Sequence, residues 1–388
     1  MTTETAAFPP IQRPFLFVAL ALAAGLFVQL STSGAELPAL FAVGIAMGIS
    51  LYHAAFGFTG AYRRLFTEKD ISGITAQLVM LATAMLLFAP VLAEGRVFGH
   101  GVSGAIAPVS VSMAFGAFIF GIGMQLGGGC GSGTLFTAGS GNSRMVLVLV
   151  FFCIGGLWGS LDQEWWTKLP SIGSISFGEK FGWGPAMAMQ LAALGLIYLG
   201  LRKLGCENKR SLWWDSRFSW KTLLRGPWPL FLSAGLLALF NWLTLLIAGH
   251  AWSITWAFTL WAGKAAVAMG WDLSSTWFWS GGFAGRALNR SILLDITSVM
   301  NIGIMFGAFI AATLAGKIAP GTRIPLPSLL AAVFGGLLLG YGARLAYGCN
   351  IGAFFSGVAS TSLHGWVWIV FALAGNYLGV RLRPLFKL

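Results

Sequence analysis

The chain has 388 residues, of which 9% are charged and 57% hydrophobic, and its mean hydropathy is +0.79. A soluble domain of that length needs a charged skin, typically about 25% charged residues. Composition therefore excludes a cytosolic enzyme, a disordered chain and a nucleic-acid-binding protein. The net charge of +12, from 24 basic and 12 acidic residues, lies mainly between apolar runs, so it reads as topology.

A helix needs about 20 apolar residues to cross the hydrocarbon. Taken along the chain, such runs cover 14–33, 37–58, 71–93, 104–127, 145–160, 183–204, 228–250, 254–271, 295–316, 328–347 and 364–382. The first follows a short tail (Met1 to Arg13) and reads as a retained span, because a similar run recurs from Trp228 to His250. No soluble domain is expected at either end. Two stretches, 129–140 and 349–360, are too short to cross and too apolar to lie in water. They read as re-entrant or half-helical segments, which survive at membrane depth only where protein or a watery cavity satisfies their backbone. Loops rich in Lys and Arg carry Arg63, Arg64 and Lys69, then Lys203, Lys209, Arg210, Arg217, Lys221 and Arg225, then Arg381, Arg383 and Lys387. The positive-inside rule puts these in the cytoplasm. The 17 tryptophans read mostly as interfacial anchors.

The chain also resembles itself. Gly121-Ile-Gly-Met-Gln-Leu-Gly-Gly-Gly-Cys-Gly-Ser-Gly-Thr-Leu-Phe136 aligns with Gly340-Tyr-Gly-Ala-Arg-Leu-Ala-Tyr-Gly-Cys-Asn-Ile-Gly-Ala-Phe-Phe355 at an offset of 219, with 7 of 16 positions identical. A weaker match at an offset of 225 pairs Gly57, Phe58, Gly60, Asp70 and Ile71 with Gly282, Phe283, Gly285, Asp295 and Ile296. The expectation is an all-α membrane protein, a polytopic helical bundle of about 9–11 transmembrane spans. It is built from two internal repeats, each with a broken or re-entrant segment at a Gly-Cys motif. The first half would cover 1–168, a connector span and basic loop 169–227, and the second half 228–388. Transporters built on such a plan place the substrate near the midplane, where the halves meet. Whether the halves are parallel or inverted is left open by the sequence.

Cys130 and Cys349 stand at equivalent repeat positions, each after a glycine and at a helix break. A lone cysteine is most often a small core hydrophobe; a symmetric pair at two breaks points to function. A neutral thiol in apolar surroundings is a soft, weak donor that suits a ligand with exposed sulfur. Gly129, Gly131, Gly133, Gly348 and Gly352 leave backbone N–H groups uncovered. A half-helix starting there turns its positive end toward the cysteine, which favours an anion. Ser132, Thr134, Asn350 and Ser356 add hydroxyl or amide donors. Together these residues describe a site for a small sulfur-bearing anion. Arg344 lies five residues before Cys349 and Lys264 interrupts an apolar run; intramembrane cations are functional candidates, unless they pair with Asp272 or Asp295. Asp70 and Asp295 look like helix N-terminal residues, and Cys153 and Cys206 look incidental. His53, His100, His250 and His364 show no ligand spacing, so no metal site is expected, nor any cofactor or catalytic residue. The glycine-rich loop lacks the lysine of a phosphate loop and follows a span, not a strand.

The segments Gly-Gly-Gly-Cys-Gly-Ser-Gly-Thr-Leu-Phe and Gly-Ala-Arg-Leu-Ala-Tyr-Gly-Cys-Asn-Ile-Gly resemble the paired signatures of the YeeE/YedE sulfur-transport family, and the Phe-Gly-Phe-Thr-Gly segment at 56–60 fits too. The resemblance covers nearly the whole chain. It implies a bacterial inner-membrane transporter, most often for thiosulfate, with some members linked to selenium. Central cysteines would pass the anion along by S–H···S contacts, and by motif these are Cys130 and Cys349. The family often carries a third cysteine where this chain reads Phe56-Gly57-Phe58. Some relatives work beside a TusA-type sulfur carrier protein. A membrane thiol enzyme that takes sulfur covalently, or transport of a selenium species or another anion, is the alternative reading.

Overall fold

The computed structural model describes residues 9–214, 219–318, 321 and 323–388. Arg217 of the basic loop and residues 1–8 of the tail lie outside the described residues. The first part of the chain forms α1 (Arg13–Ser31), α2 (Glu36–His53), α3 (Phe58–Glu68), α4 (Ser72–Glu94), α5 (Val111–Gly127), α6 (Gly131–Gly139) and α7 (Ser143–Leu161). Then come α8 (Gln163–Thr167), α9 (Phe177–Phe181), α10 (Trp183–Lys203) and α11 (Trp220–Arg225). The rest holds α12 (Leu230–Ala248), α13 (Thr255–Ala268), α14 (Gly282–Asn289), α15 (Ile296–Leu314) and α16 (Leu326–Leu345). It closes with a π-helical turn (Asn350–Phe355), α17 (Ser356–Ala359) and α18 (Leu363–Leu382). Among the described residues ten helical stretches are long and apolar enough to cross a membrane, and sheet is limited to two small two-stranded pairs. This is a polytopic all-α membrane protein.

Three predicted spans differ from the structure. The run 104–127 becomes helical only at Val111, where the Ser110 hydroxyl accepts the Met113 N–H at 3.1 Å. Part of the run before it forms strand 108–110, which pairs with 171–174. The run 37–58 breaks at Ala54–Gly57, and α3 carries Arg63 and Arg64, the latter facing Asp70 at 3.5 Å. The run 254–271 yields only the 14 residues of α13, about 21 Å of helix and too short to cross. Although Val267, Met269 and Trp271 at the end of the run are exposed, much of α13 is apolar because it is buried against protein. For the same reason Trp252, Trp279 and Trp368 are core residues and not interfacial anchors.

Backbone contacts define two ends. At one, the Trp228 N–H donates to the His53 carbonyl, Arg225 Nε to Leu314 O, Gln12 N to Thr313 O and Lys209 Nζ to Glu68 O. This end gathers most of the Lys- and Arg-rich loops. At the other, Ser103 N donates to Gly249 O and Leu363 N to Ile175 O. The helix pairs α2 and α15, α5 and α18, and α7 and α16 run parallel, and glycines let them approach backbone to backbone. A Cβ added to Gly121 would overlap the Ala372 carbonyl, and one on Gly340 would overlap the Phe152 carbonyl. The two contacts are exchanged across the molecule: α5 packs on α18 as α16 packs on α7. Likewise α2 packs on α15 as α12 packs on α4. The weaker sequence match is not matched in space. Gly57 precedes α3, which packs on α4 and α18, whereas Gly282 opens α14, which packs on α13.

Candidate functional site

Two helices end just before the two cysteines, and residues at positive φ make both turns, with Tyr347 at φ +60° beside Gly348 in the second. Gly128 adopts φ +90° after α5, and Gly348 adopts φ +145° after α16. An L side chain is strained at either value. A Cβ on Gly348 would also press to 2.9 Å from the Ala353 nitrogen. The chain then places each cysteine in the same extended conformation, φ −90°, ψ −164° at Cys130 and φ −106°, ψ −166° at Cys349. Each is the N-cap of a short helical segment: α6 after Cys130, the π-turn and α17 after Cys349. A short helical segment thus follows each cysteine, the second starting as a wider π-turn. The positive, N-terminal ends of both segments lie at the sulfurs.

The two sulfurs lie in the same part of the core. Both cysteines are buried, with 1% and 0% of their surface exposed. A Cβ on Gly131 would sit 2.8 Å from Cys349 Sγ, so the sulfur of one segment packs on the residue following the other's cysteine. Gly133 lies on the Cys130 side, where its Cβ would be 3.6 Å from that sulfur. Cys130 Sγ is 3.4 Å from the Ser132 hydroxyl, and Cys349 Sγ accepts the Ile351 N–H at 3.5 Å. Gly129 makes room for Met145 and for the Thr134 N–H, and Gly352 faces Ser253.

Polar groups surround this pair. Asn350 Nδ2 donates to the Tyr62 hydroxyl at 3.1 Å, which ties α3 to the π-turn. Thr134 Oγ1 and Asn350 Oδ1 are buried and lack hydrogen-bond partners. Orphaned buried oxygens are uncommon, and these two of several in the molecule flank the cysteines. Ser356 has a different role from the one expected of it. Its hydroxyl donates to Trp252 O at 2.9 Å and accepts from Asn241 Nδ2 at 3.2 Å, while Trp252 N donates to Asn241 Oδ1 at 2.8 Å. That closed triangle fixes the loop between α12 and α13 against α17.

The cations divide into two kinds. Lys264 pairs with neither aspartate: its Nζ donates to Leu288 O at 2.7 Å and to Arg290 O, holding the end of α14. Arg144 covers the end of α5 through Leu126 O and Gly127 O, at 2.8 and 2.5 Å. Arg344 is different. It lies under the Phe278 ring, 4.7 Å from the centroid, and its buried Nε has no partner. Asp295 is the N-cap of α15, accepting the Ser298 N–H at 2.8 Å, and Asp70 accepts from Ser72 N and Oγ at 2.9 and 2.6 Å, just before α4.

Sequence reasoning missed Tyr62, Gln125 and Asn376. Gln125 Nε2 donates to Thr59 O at 3.1 Å and to Asn376 Oδ1 at 2.8 Å, wholly buried. The available signal was an amide and a phenol inside apolar runs, where a polar group is costly unless bonded.

The family described as Sulphur transport matches residues 53–378. The probable transporter YedE of Escherichia coli K12 is 33% identical over 181 residues, which is 45% of this chain and 43% of that protein. The chain thus spans less than half the length of that relative. The thiosulfate transporter TsuA of Spirochaeta thermophila is 27% identical over 350 residues, 86% of this chain and 95% of its own length. The thiosulfate transporter TsuA of E. coli K12 is 23% identical over 357 residues, 88% of this chain and 94% of its own. With glycine-turned breaks, paired buried thiols and a match along most of its length, the chain belongs to the Sulphur transport family.

Proposed function

We propose that the protein carries thiosulfate across the bacterial inner membrane, through a waist between Cys130 and Cys349 with its basic end in the cytoplasm. The observation that carries this reading is the packing of Cys349 Sγ on Gly131, beside Cys130. The relatives' names support the substrate, and the basic loops support the orientation. The exchanged helix contacts support two halves of opposite direction, 1–168 and 228–388, meeting at the cysteines.

The chemistry follows from the surroundings. A thiol held in a dry core stays a neutral donor, so it does not repel a dianion. Its S–H contacts the terminal sulfur of thiosulfate while backbone N–H groups near Gly129, Gly131, Gly133, Gly348 and Gly352 face the sulfonate oxygens. Thr134 Oγ1 and the Asn350 amide supply further polar partners. No bond is made or broken. A small sulfur carrier of the TusA type, acting at the basic end, is the proposed receiver.

Uptake of labelled thiosulfate into proteoliposomes tests this. Cys130→Ala and Cys349→Ala each remove one small buried group and leave the glycine turns in place. Each is expected to lower uptake by at least about tenfold, with normal insertion. Parent-like uptake by both would end the relay reading. A covalent sulfur adduct in intact-mass analysis of the parent would favour the thiol enzyme instead.

A further inference from the structure

Tyr62 places a phenol beside the proposed waist, and its hydroxyl is only half used. The residue is 2% exposed, and its oxygen accepts the Asn350 Nδ2 bond at 3.1 Å. Among the described residues no hydrogen bond takes the phenol's own proton. A buried donor left over in this way costs free energy unless a ligand accepts it.

The fold holds this phenol firmly. The chain breaks at Ala54–Gly57, with Ala55 at φ +46°, and restarts as α3 with Phe58, Thr59, Ala61 and Tyr62 buried. Neighbours on different elements then fix α3. The Gln125 amide of α5 donates to Thr59 O at 3.1 Å, and a Cβ on Gly73 of α4 would come within 2.6 Å of the Ala61 Cβ. Asn350 of the π-turn completes the set through Tyr62 itself. A side chain held from several elements is pre-organised, so little ordering is left to pay for when a ligand binds.

Tyr62 is also close enough to Cys130 for their charges to interact, as Cys130 is to Cys349. The phenol thus joins the two sulfurs and the unpartnered Thr134 and Asn350 oxygens in one buried cluster. Among the described residues no carboxylate is hydrogen-bonded to any of these groups. A sulfonate only accepts hydrogen bonds, and a neutral phenol donates more strongly to an anion than to a neutral partner.

We infer that Tyr62 is a substrate-contacting residue of the waist, donating its phenol proton to an oxygen of the passing anion while its oxygen keeps the Asn350 bond. The thiols read the sulfur end of thiosulfate and the phenol reads the oxygen end. A sulfur anion without oxygen, such as hydrosulfide, gains nothing from it. The inference rests on the proposed passage between Cys130 and Cys349 and adds the residue that orients the anion there.

Uptake of labelled thiosulfate into proteoliposomes, measured against concentration, reads this contact. Tyr62→Phe keeps the ring and removes the donor. It is expected to raise KM about tenfold while the maximal rate stays within about twofold of the parent. A residue that merely tied α3 to the π-turn would lower the melting temperature and leave KM unchanged. Unchanged KM in properly inserted Tyr62→Phe therefore overturns the inference. If that variant does not insert, a ring-fluorinated tyrosine at position 62 takes its place. Its fluorine NMR resonance is expected to shift when saturating thiosulfate is added and to stay put with the same concentration of chloride; a resonance that thiosulfate does not move overturns the contact. The cysteine variants keep the two readings apart. Parent-like uptake by Cys130→Ala and Cys349→Ala, with a raised KM in Tyr62→Phe, sinks the relay and leaves the phenol contact standing. Uptake lost in the cysteine variants, with parent-like KM in Tyr62→Phe, does the reverse.

Discussion

Gln125 and Arg344 occupy matching places, each five residues before a cysteine and on a helix that ends in a glycine turn. Gln125 is sealed in the core, its amide bonded to Thr59 and Asn376. Arg344 borders a cavity, with an aromatic ring above it and no acid beside it. The difference lies in what surrounds them. Between α3 and α4 the first half has only residues 69–71, whereas between α13 and α15 the second half inserts a longer segment that contains α14. That insertion builds much of the cavity wall. Arg344 thus borders an open cavity at one end, whereas Gln125 lies sealed behind Arg144 and Arg383 at the basic end.

Exchanging the two residues breaks the comparison most severely. Gln125→Arg buries a charge with only carbonyl and amide partners, at a cost of several kcal/mol. Loss of monodisperse protein in detergent chromatography is expected, whereas Arg344→Gln is expected to remain folded. A well-behaved Gln125→Arg protein would show that the first-half face is wetter than its hydrogen bonds imply. The helix seams test where the halves are alike. Gly121→Ala and Gly340→Ala each drive a methyl into a facing carbonyl, and each is expected to cost about 1–3 kcal/mol. Thermal unfolding should show closely similar losses for both; a large difference would mean that the exchanged packing is superficial.

The smallest effect concerns the basic end. Burial pushes the Asp70 carboxyl up, but hydrogen bonds from Ser72 and Lys209 and the nearby Arg64 guanidinium more than offset this, and the net is a value below the ordinary one. A lowered native value stabilises the fold fully above the ordinary carboxylate value of about 3.9 and loses that contribution as pH falls through the lowered one. Asp70→Asn is therefore expected to reduce thermal stability modestly at pH 7, with the gap to the parent closing in acid. A gap that persists unchanged in acid would mean that the carboxylate charge contributes nothing.

Much of this molecule was legible from its residues, for identifiable reasons. Spans such as α4 and α18 are uniform apolar runs whose length the bilayer dictates. The chain breaks before Cys130 and Cys349 were visible as glycine-rich sequence, and Gly128 and Gly348 there adopt positive φ. What stayed hidden depends on three-dimensional neighbours. An apolar run reports burial without saying whether lipid or protein does the burying, which is why helix begins only at Val111 in 104–127 and 254–271 holds the short α13. The Tyr62–Asn350 bond joins residues 288 positions apart, and no local pattern announces it. Nor does any residue in α14 by itself reveal a cavity; Arg344 gains meaning only from the loop folded over it.

The glycine seams carry one more consequence. Ordering a long side chain costs conformational freedom, up to about 2 kcal/mol for the most flexible ones, and glycine has none to lose there. Where Gly121 meets Ala372 and Gly340 meets Phe152, main chain rests directly on main chain. Cohesion at these crossings comes from many close dispersion contacts and leaves no crevice for an acyl tail to enter. Because neither glycine has a rotamer to change, any movement at these crossings must shift main chain against main chain.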